Sequence, residues 1–242
     1  MALKFKEFDF EGEETLKSMS HAVKLNQWMY SQMELFINGK VLEIGSGIGN
    51  ISQVFIKEGI DIDLSDIRDQ YVDFLQYKFP NNKVLKIDLV HSDFDKVYNH
   101  LFGTYDLVFA LNVIEHIEND KLAITNICKL LKPSGIIYIL VPAYQSLYNN
   151  FDKSLFHYRR YNKKSLKMIF PSNLEFVKSW YFNFAGIFGW YIVGNLLKKE
   201  IIPESNMKLY NLLTPLFKII DRITLRSIGL SVVTVFKKDK NE

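Results

Sequence analysis

Between Lys40 and Val141 short apolar runs alternate with segments of helical periodicity, and this rhythm confines the chain to one class of fold. Lys40 to Ile44 reads as a strand, followed by a helix with Ile51, Val54 and Phe55 on one face that Gly59 stops. Ile60, Ile62 and Leu64 alternate as a second strand, and Ile67, Tyr71, Phe74 and Leu75 mark a helical face ending before Pro80. Lys83 to Asp88, Tyr105 to Leu111 and Ile136 to Val141 supply three more strands. The helix before the last of these, with Ala123, Ile127, Leu130 and Leu131 on one side, is expected to stop at Lys132-Pro133-Ser134-Gly135. Right-handed crossovers lay helices over both faces of such a sheet, so the pattern predicts a doubly wound α/β fold. Leu174 to Phe182 and Leu230 to Lys238 bring the mostly parallel sheet to seven strands.

No linker divides the 242 residues, so they are read as a single domain. Within it, 1–38 is a helical cap, 39–182 and 229–238 form the core sheet, and 183–228 is a helical insertion before the last strand. The cap is expected to be helical from 12 to 37, with Leu16, Met19, Val23, Trp28 and Met33 recurring at helical spacings. The single cysteine, Cys128, excludes an intrachain disulfide and any multi-cysteine zinc site. Charged residues interrupt Lys4 to Asp9, which is not the apolar run of a signal peptide, so a cytoplasmic location is expected.

The sharpest local motif is Glu43-Ile44-Gly45-Ser46-Gly47-Ile48-Gly49-Asn50, a strand end running through three alternate glycines toward a helix expected to begin at Asn50. Glycines let backbone approach a ligand closely, and a helix start offers unpaired N–H groups. The spacing G-x-G-x-G departs from the G-x-G-x-x-G of dinucleotide sites and argues against NAD. Two further acids fall at strand ends: Asp66, 21 residues after Gly45, and Asp88. Open α/β sheets bind ligands at that edge.

Glu43-x-Gly45-x-Gly47-x-Gly49 resembles the first motif of class I S-adenosylmethionine-dependent methyltransferases. The resemblance implies that Gly45, Ser46 and Gly47, bordered by Gly49 and Asn50, wrap the methionine part of the cofactor through backbone contacts. It makes Glu43 the anchor of the loop and amino group. Asp66, beside Ile67, would take the ribose hydroxyls, Asp88 and Leu89 would border the adenine, and Asn112 and Val113 would line the floor near the methyl. S-adenosylhomocysteine would be the product.

Methyl transfer from a sulfonium is an in-line displacement with an activated leaving group, so a base is optional. His116 and His157 fall in loops at the active edge and are the expected catalytic histidines if the acceptor is a hydroxyl. Asn112-Val113-Ile114-Glu115-His116 resembles the E-x-x-E-H stretch of ubiquinone-pathway O-methyltransferases and small-RNA 2'-O-methyltransferases, where the acids and His can hold a divalent metal. Asn112 replaces the first acid here, leaving two ligands, and no metal is expected.

Asp152-x4-His157-Tyr158-Arg159-Arg160-Tyr161 resembles a bacterial methyltransferase subgroup. Paired arginines between aromatics form a fork suited to phosphate or carboxylate, which makes Arg159, Arg160, Tyr161 and Tyr144 the expected substrate contacts. The competing arrangement is a structural lid in which the arginines pair with Asp152 or the sheet edge.

In the insertion, Leu209, Leu212, Leu213, Leu216, Phe217 and Ile220 follow helical spacing, with Pro215 expected to kink or split the helix. Lys218, Arg222 and Arg226 recur on another face, near Phe188, Trp190 and Tyr191. A basic amphipathic helix with aromatics suits a peripheral membrane contact, while the commoner arrangement packs the apolar face on the sheet or a homodimer partner.

The resulting expectation is an S-adenosylmethionine-dependent methyltransferase of a small-molecule, glycan or lipid-linked acceptor, with oxygen as the target. Thirty basic residues against 27 acidic ones leave only +3, too weak for a phosphate-tracking groove, and Asn112 lacks the following Pro-Pro-aromatic string of base-amine enzymes. Nucleic acid is therefore not expected as a partner. A nucleic-acid or protein methyltransferase and a non-catalytic cofactor-binding partner protein are the alternatives.

Overall fold

The computed structural model describes residues 10–192 and 204–240. In chain order its main elements are α1 (Phe10–Ser20), α2 (Val23–Met33), β1 (Val41–Ile44), α3 (Ser52–Lys57), β2 (Ile62–Asp66), α4 (Asp69–Lys78) and β3 (Val84–Lys86). These are followed by α5 (Phe94–Val97), β4 (Tyr105–Leu111), α6 (Asp120–Leu130), β5 (Leu131–Pro142), α7 (Asn150–Ser154) and α8 (Lys163–Lys167). The chain closes with β6 (Glu175–Phe182), α9 (Phe184–Tyr191), α10 (Glu204–Ile223) and β7 (Ser231–Lys237).

The sheet runs β3-β2-β1-β4-β5-β7-β6. The first five strands are parallel, and β7 is antiparallel to both neighbours. Strand order reverses between β1 and β4, which opens a crevice at their C-terminal ends. The seven-stranded doubly wound α/β fold expected from the alternation is the fold observed.

Helices on both faces leave β1 and β2 fully buried, which explains their apolar sequences and requires a partner for each polar exception. Asp63 accepts the Tyr105 hydroxyl at 2.8 Å. The Ser65 hydroxyl donates to the Glu43 carbonyl at 2.7 Å. One core layer joins Leu42, Val108 and Ile137 to Ile127 and Leu130 of α6; the other joins Phe109 and Tyr138 to Met33 of α2 and Phe55 of α3.

Four local expectations change. The helix expected over 12–37 breaks at His21-Ala22, because α1 turns to lie over the glycine loop, where the Leu16 carbonyl accepts the Asn50 amide at 2.9 Å. The α3 helix begins at Ser52, not Asn50, since the glycine loop closes first through the Gly49 N–H to Ser46 carbonyl bond. Strand β5 begins at Leu131, pairing with Tyr105 across a bulge that absorbs the Lys132–Gly135 turn. Helix α10 runs unbroken through Pro215, whose exposed ring leaves the Asn211 carbonyl on a side that water can reach.

The insertion also departs from the expected packing. Met207, Thr214 and Asp221 of α10 are buried, and α10 lies on α2 and α9. Leu209, Leu212, Leu216, Ile219 and Ile223 remain more than half exposed. Residues 1–9 of the expected cap and 193–203 of the insertion lie outside the described residues.

Candidate active site

A cavity of about 1280 Å³ opens at the crevice between β1 and β4. Glu43, Gly45, Ser46, Gly47, Asn50, Asp66, Ile67, Asp88, Leu89, Asn112 and Val113 line it. Gly49 does not: it closes the turn, with φ +76° and the Phe79 ring where a side chain would stand.

The glycine loop is a cradle that side chains would fill. Gly45 has φ +72° and a Cβ there would run into Val113 on the floor; Gly47 has φ +55° and a Cβ would meet Leu16 of α1. The Ser46 N–H donates to the Ser65 carbonyl at 2.8 Å and the Gly47 N–H to Asp66 at 3.0 Å. These two donors are spent on the fold, as are the Ser46 and Ile48 carbonyls, which accept the Gly49 N–H and Lys78 Nζ at 2.8 Å, so an ammonium group would meet the other carbonyl oxygens of the loop. Glu43 is buried beneath the loop, where its carboxylate accepts the Ser52 hydroxyl. Asp66 takes one backbone N–H on each oxygen, from Gly47 and from Arg68, both at 3.0 Å. A carboxylate has about four lone-pair sites, so two remain for vicinal hydroxyls. These features fit S-adenosylmethionine: carbonyls for its amino group, an acid at the β2 tip for its ribose, and Asp88 with Leu89 beyond β3 for its base. Leu16, Met19, Leu25 and Tyr71 also line the cavity and were missed by sequence reasoning, because cap residues carry no motif and only tertiary folding lays them over the loop.

Beyond the cofactor loop the cavity reaches Glu115, His116 and His157. The two imidazoles meet edge to face at 4.5 Å, and His157 Nε2 lies 4.0 Å from a Glu115 oxygen. His157 Nδ1 is 2.8 Å from Asp152, which also accepts Arg160 Nε at 2.8 Å and the Asn149 N–H at 2.9 Å. Burial acts to raise Asp152, but His157 and Arg160 outweigh it and hold its carboxyl below the usual range. An ionised Asp152 can only accept, so His157 carries a proton on Nδ1 and turns Nε2 toward Glu115. Both Glu115 oxygens are buried without a hydrogen-bond partner.

The substrate fork expected from sequence is not formed. Arg159 turns away to Asp120 and the Glu118 carbonyl, both at 2.9 Å, and the Tyr161 hydroxyl donates to the same Asp120 at 2.8 Å. Tyr144 stacks on Tyr181 at 4.9 Å, outside the cavity. Arg160 reaches the cavity wall, but its guanidinium is buried against Asp152, the Ala143 carbonyl and the Trp190 ring. A buried arginine needs a fixed counter-charge, and Asp152 supplies it within the same segment. The string therefore builds the lid that holds His157. Sequence counting also found two metal ligands where folding gathers three: donor atoms of Glu115, His116 and His157 all lie within 4.8 Å of one another.

The buried groups make stability depend on pH with a definite sign. Burial pushes Glu115 up to about 8 and Glu43 up to about 7, from 4.5. Each contributes stability below pH 4.5 that is lost as pH rises through its folded value. His116 is pushed down from 6.5 to about 3 by burial and by His157, so its contribution is present above pH 6.5 and lost on acidification. Between 6.5 and 8 the two glutamates lose their folded-state protons, and the urea midpoint is expected to fall across that window. Glu115→Gln should flatten the slope more than Glu43→Gln does, since Glu115 has the higher folded value and stays protonated further into that window. An unchanged slope in that variant would mean Glu115 is ionised throughout.

A family model described as a methyltransferase domain matches residues 19–191. The ubiquinone biosynthesis O-methyltransferase of Rickettsia bellii is 32% identical over 101 residues, 41% of this chain and 40% of that one. That of Vibrio atlanticus is 24% identical over 149 residues, 62% and 60% of the two chains. The chain thus spans less than two thirds of these relatives' lengths. Among solved structures, a SAM-dependent methyltransferase from Archaeoglobus fulgidus superposes with a TM-score of 0.58 at 17% identity, covering 90% of this chain and 94% of that one. Phosphoethanolamine N-methyltransferase 2 of Haemonchus contortus, in complex with S-adenosyl-L-methionine, does so with 0.58 at 17%, covering 89% and 52%. With the family match spanning well over half of its length, on a sheet whose switch point carries the glycine cradle, the chain belongs to the methyltransferase-domain family of class I S-adenosylmethionine-dependent methyltransferases.

Proposed function

We propose that the protein transfers the methyl group of S-adenosylmethionine to a hydroxyl oxygen of a small acceptor with an apolar body. The observation that carries this reading is the shape of the cavity. About 1280 Å³ exceeds the roughly 300–1,000 Å³ of an ordinary single-ligand site, which leaves room for an acceptor beside the cofactor. From the His157 end the cavity continues along Phe188, Trp190, Leu209, Leu213 and Phe217 of the insertion, a wall that suits a lipid-linked or aromatic acceptor better than a bare glycan.

The cofactor supplies an activated methyl group, so the chain's residues have to align the acceptor, exclude water and move one proton. Helix α1 covers the loop on one side, where the Leu16 carbonyl accepts the Asn50 amide, and would limit water at the cofactor end. His157, held through Nδ1 by Asp152, would in its neutral form take the acceptor's hydroxyl proton on Nε2 as the methyl passes from the sulfonium to the acceptor oxygen. His116, neutral through its depressed pKa, packs against the base and fixes its plane.

A second reading is favoured by the buried Glu115 carboxyl, which has no hydrogen-bond partner: with its proton displaced it could hold a divalent cation together with His116 and His157, and that cation would polarise the acceptor oxygen. Transfer from labelled methyl donor to a panel of hydroxylated lipid-tailed, aromatic, phosphorylated and glycan acceptors tests the function. We expect label on the oxygen of an apolar acceptor, unaffected by chelator. Loss on chelation, restored by divalent metal, would select the cation reading. With amine, nucleic-acid and protein acceptors run alongside, label only on those, or none at all, would remove the proposal.

A further inference from the structure

Among the described residues, α9 and α10 leave a run of large apolar side chains uncovered. Along α10, Leu209, Leu212, Leu216, Ile219 and Ile223 are 57%, 66%, 53%, 53% and 74% exposed. At 100° per residue they fall within about a quarter to a third of the helix circumference. Phe188, Tyr191 and Ile192 of the α9 segment are 58%, 49% and 47% exposed. A monomeric protein rarely leaves so many large apolar side chains together without a partner for them.

Charge identifies the partner. Arg222, Lys208 and Lys218 follow on the flank of the apolar arc, and Lys24 of α2 stands beside them through its N–H bond to the Asn211 side chain at 2.6 Å. Among the described side chains of α10 the one acid is Asp221, and it is buried, accepting the N–H groups of Asn183 and Phe184 at 2.8 Å. An apolar face with a basic rim matches the layering of an anionic bilayer surface, where acyl chains meet the former and phosphates the latter. No helix among the described residues is long and apolar enough to cross a membrane, so the contact would be peripheral.

We infer that α9 and α10 dock the protein on an anionic phospholipid membrane. The face is continuous with the active site: Phe188, Ile192, Leu209 and Leu213 are at once exposed and part of the cavity wall. This deepens the proposed function, because an acceptor with an apolar tail reaches His157 from the bilayer without crossing water. A second copy of the chain on the same face would cover that mouth and set two basic rims close together.

Flotation with vesicles tests this without any methyl acceptor. The full chain is expected to float with equal parts of phosphatidylglycerol and phosphatidylcholine at least about tenfold more than with phosphatidylcholine alone, and to lose the difference at high salt. Leu212→Glu/Ile219→Glu/Ile223→Glu and, separately, Lys218→Glu/Arg222→Glu should both fall to the phosphatidylcholine level while S-adenosylhomocysteine affinity is unchanged, which certifies the fold. None of these five residues lines the cavity. Equal flotation with both vesicle types, or undiminished flotation of either variant, overturns the proposal. A dimer in sedimentation velocity that the triple variant dissociates, with no flotation, assigns the face to a second copy and also overturns it. Failure here leaves methyl transfer standing, and a failed transfer assay leaves the flotation result standing.

Discussion

Replacing Asp66 with alanine is expected to weaken S-adenosylhomocysteine binding by about 100-fold or more in calorimetry. Two losses add. In the proposed site the carboxylate would be the β2-tip acceptor for both ribose hydroxyls, and hydrogen bonds to a charged group contribute roughly 1.5–3 kcal/mol each. It also accepts the Gly47 and Arg68 N–H groups, so the cradle loses the tie that sets the loop against β2. At about 1.4 kcal/mol per factor of ten, the ribose contacts alone account for the hundredfold. Asp66→Asn retains one acceptor oxygen and should fall between. Burial already pushes the Asp66 carboxyl upward, so the neutral variants recover some desolvation cost and fold. Affinity within about threefold of the parent would remove Asp66 from the site.

His157→Ala should lower kcat by roughly 10²–10⁴, the range of a positioned general base, with cofactor affinity within about twofold. His157 Nδ1 is occupied by Asp152, leaving Nε2 directed at the cavity. Asp152→Asn tests the same arrangement from behind. Its amide either donates to Nδ1 and reverses the tautomer or loses the bond, and Arg160 loses its counter-ion. The kcat of Asp152→Asn should therefore fall while KM moves little. His116→Ala should cost less, about tenfold, since a group depressed to about 3 is a weak base. Full turnover in His157→Ala would show that the cofactor's leaving group makes a base unnecessary.

Much of the architecture is legible in local sequence because strand and helix periods differ, 2 against 3.6, and glycine, proline and buried-strand composition punctuate them. The glycine loop and the acids Asp66 and Asp88 belong to this class: each lies at a strand end fixed by the alternation, and the sheet brings those ends to one edge. The histidine cluster does not. Glu115 and His116 follow β4, and His157 lies some 40 residues later, so nothing local tells that their ligand atoms converge. The Arg159-Arg160 pair misled for the same reason. Its chemistry suits an anion, but its partners Asp120 and Asp152 are chosen by the way the segment folds back on β5 and α6.

The sequence alone determined the order of strands and helices along the chain and the sheet edge that carries the glycine loop, since these follow from backbone sterics and short-range pattern, while the cofactor came from the resemblance of that loop to a family motif. Tertiary structure decided which charges are spent on the fold and which face the cavity. It also decided that the apolar face of α10 lies outward. Those outcomes depend on contacts between residues far apart in the chain, whose energies no local pattern records.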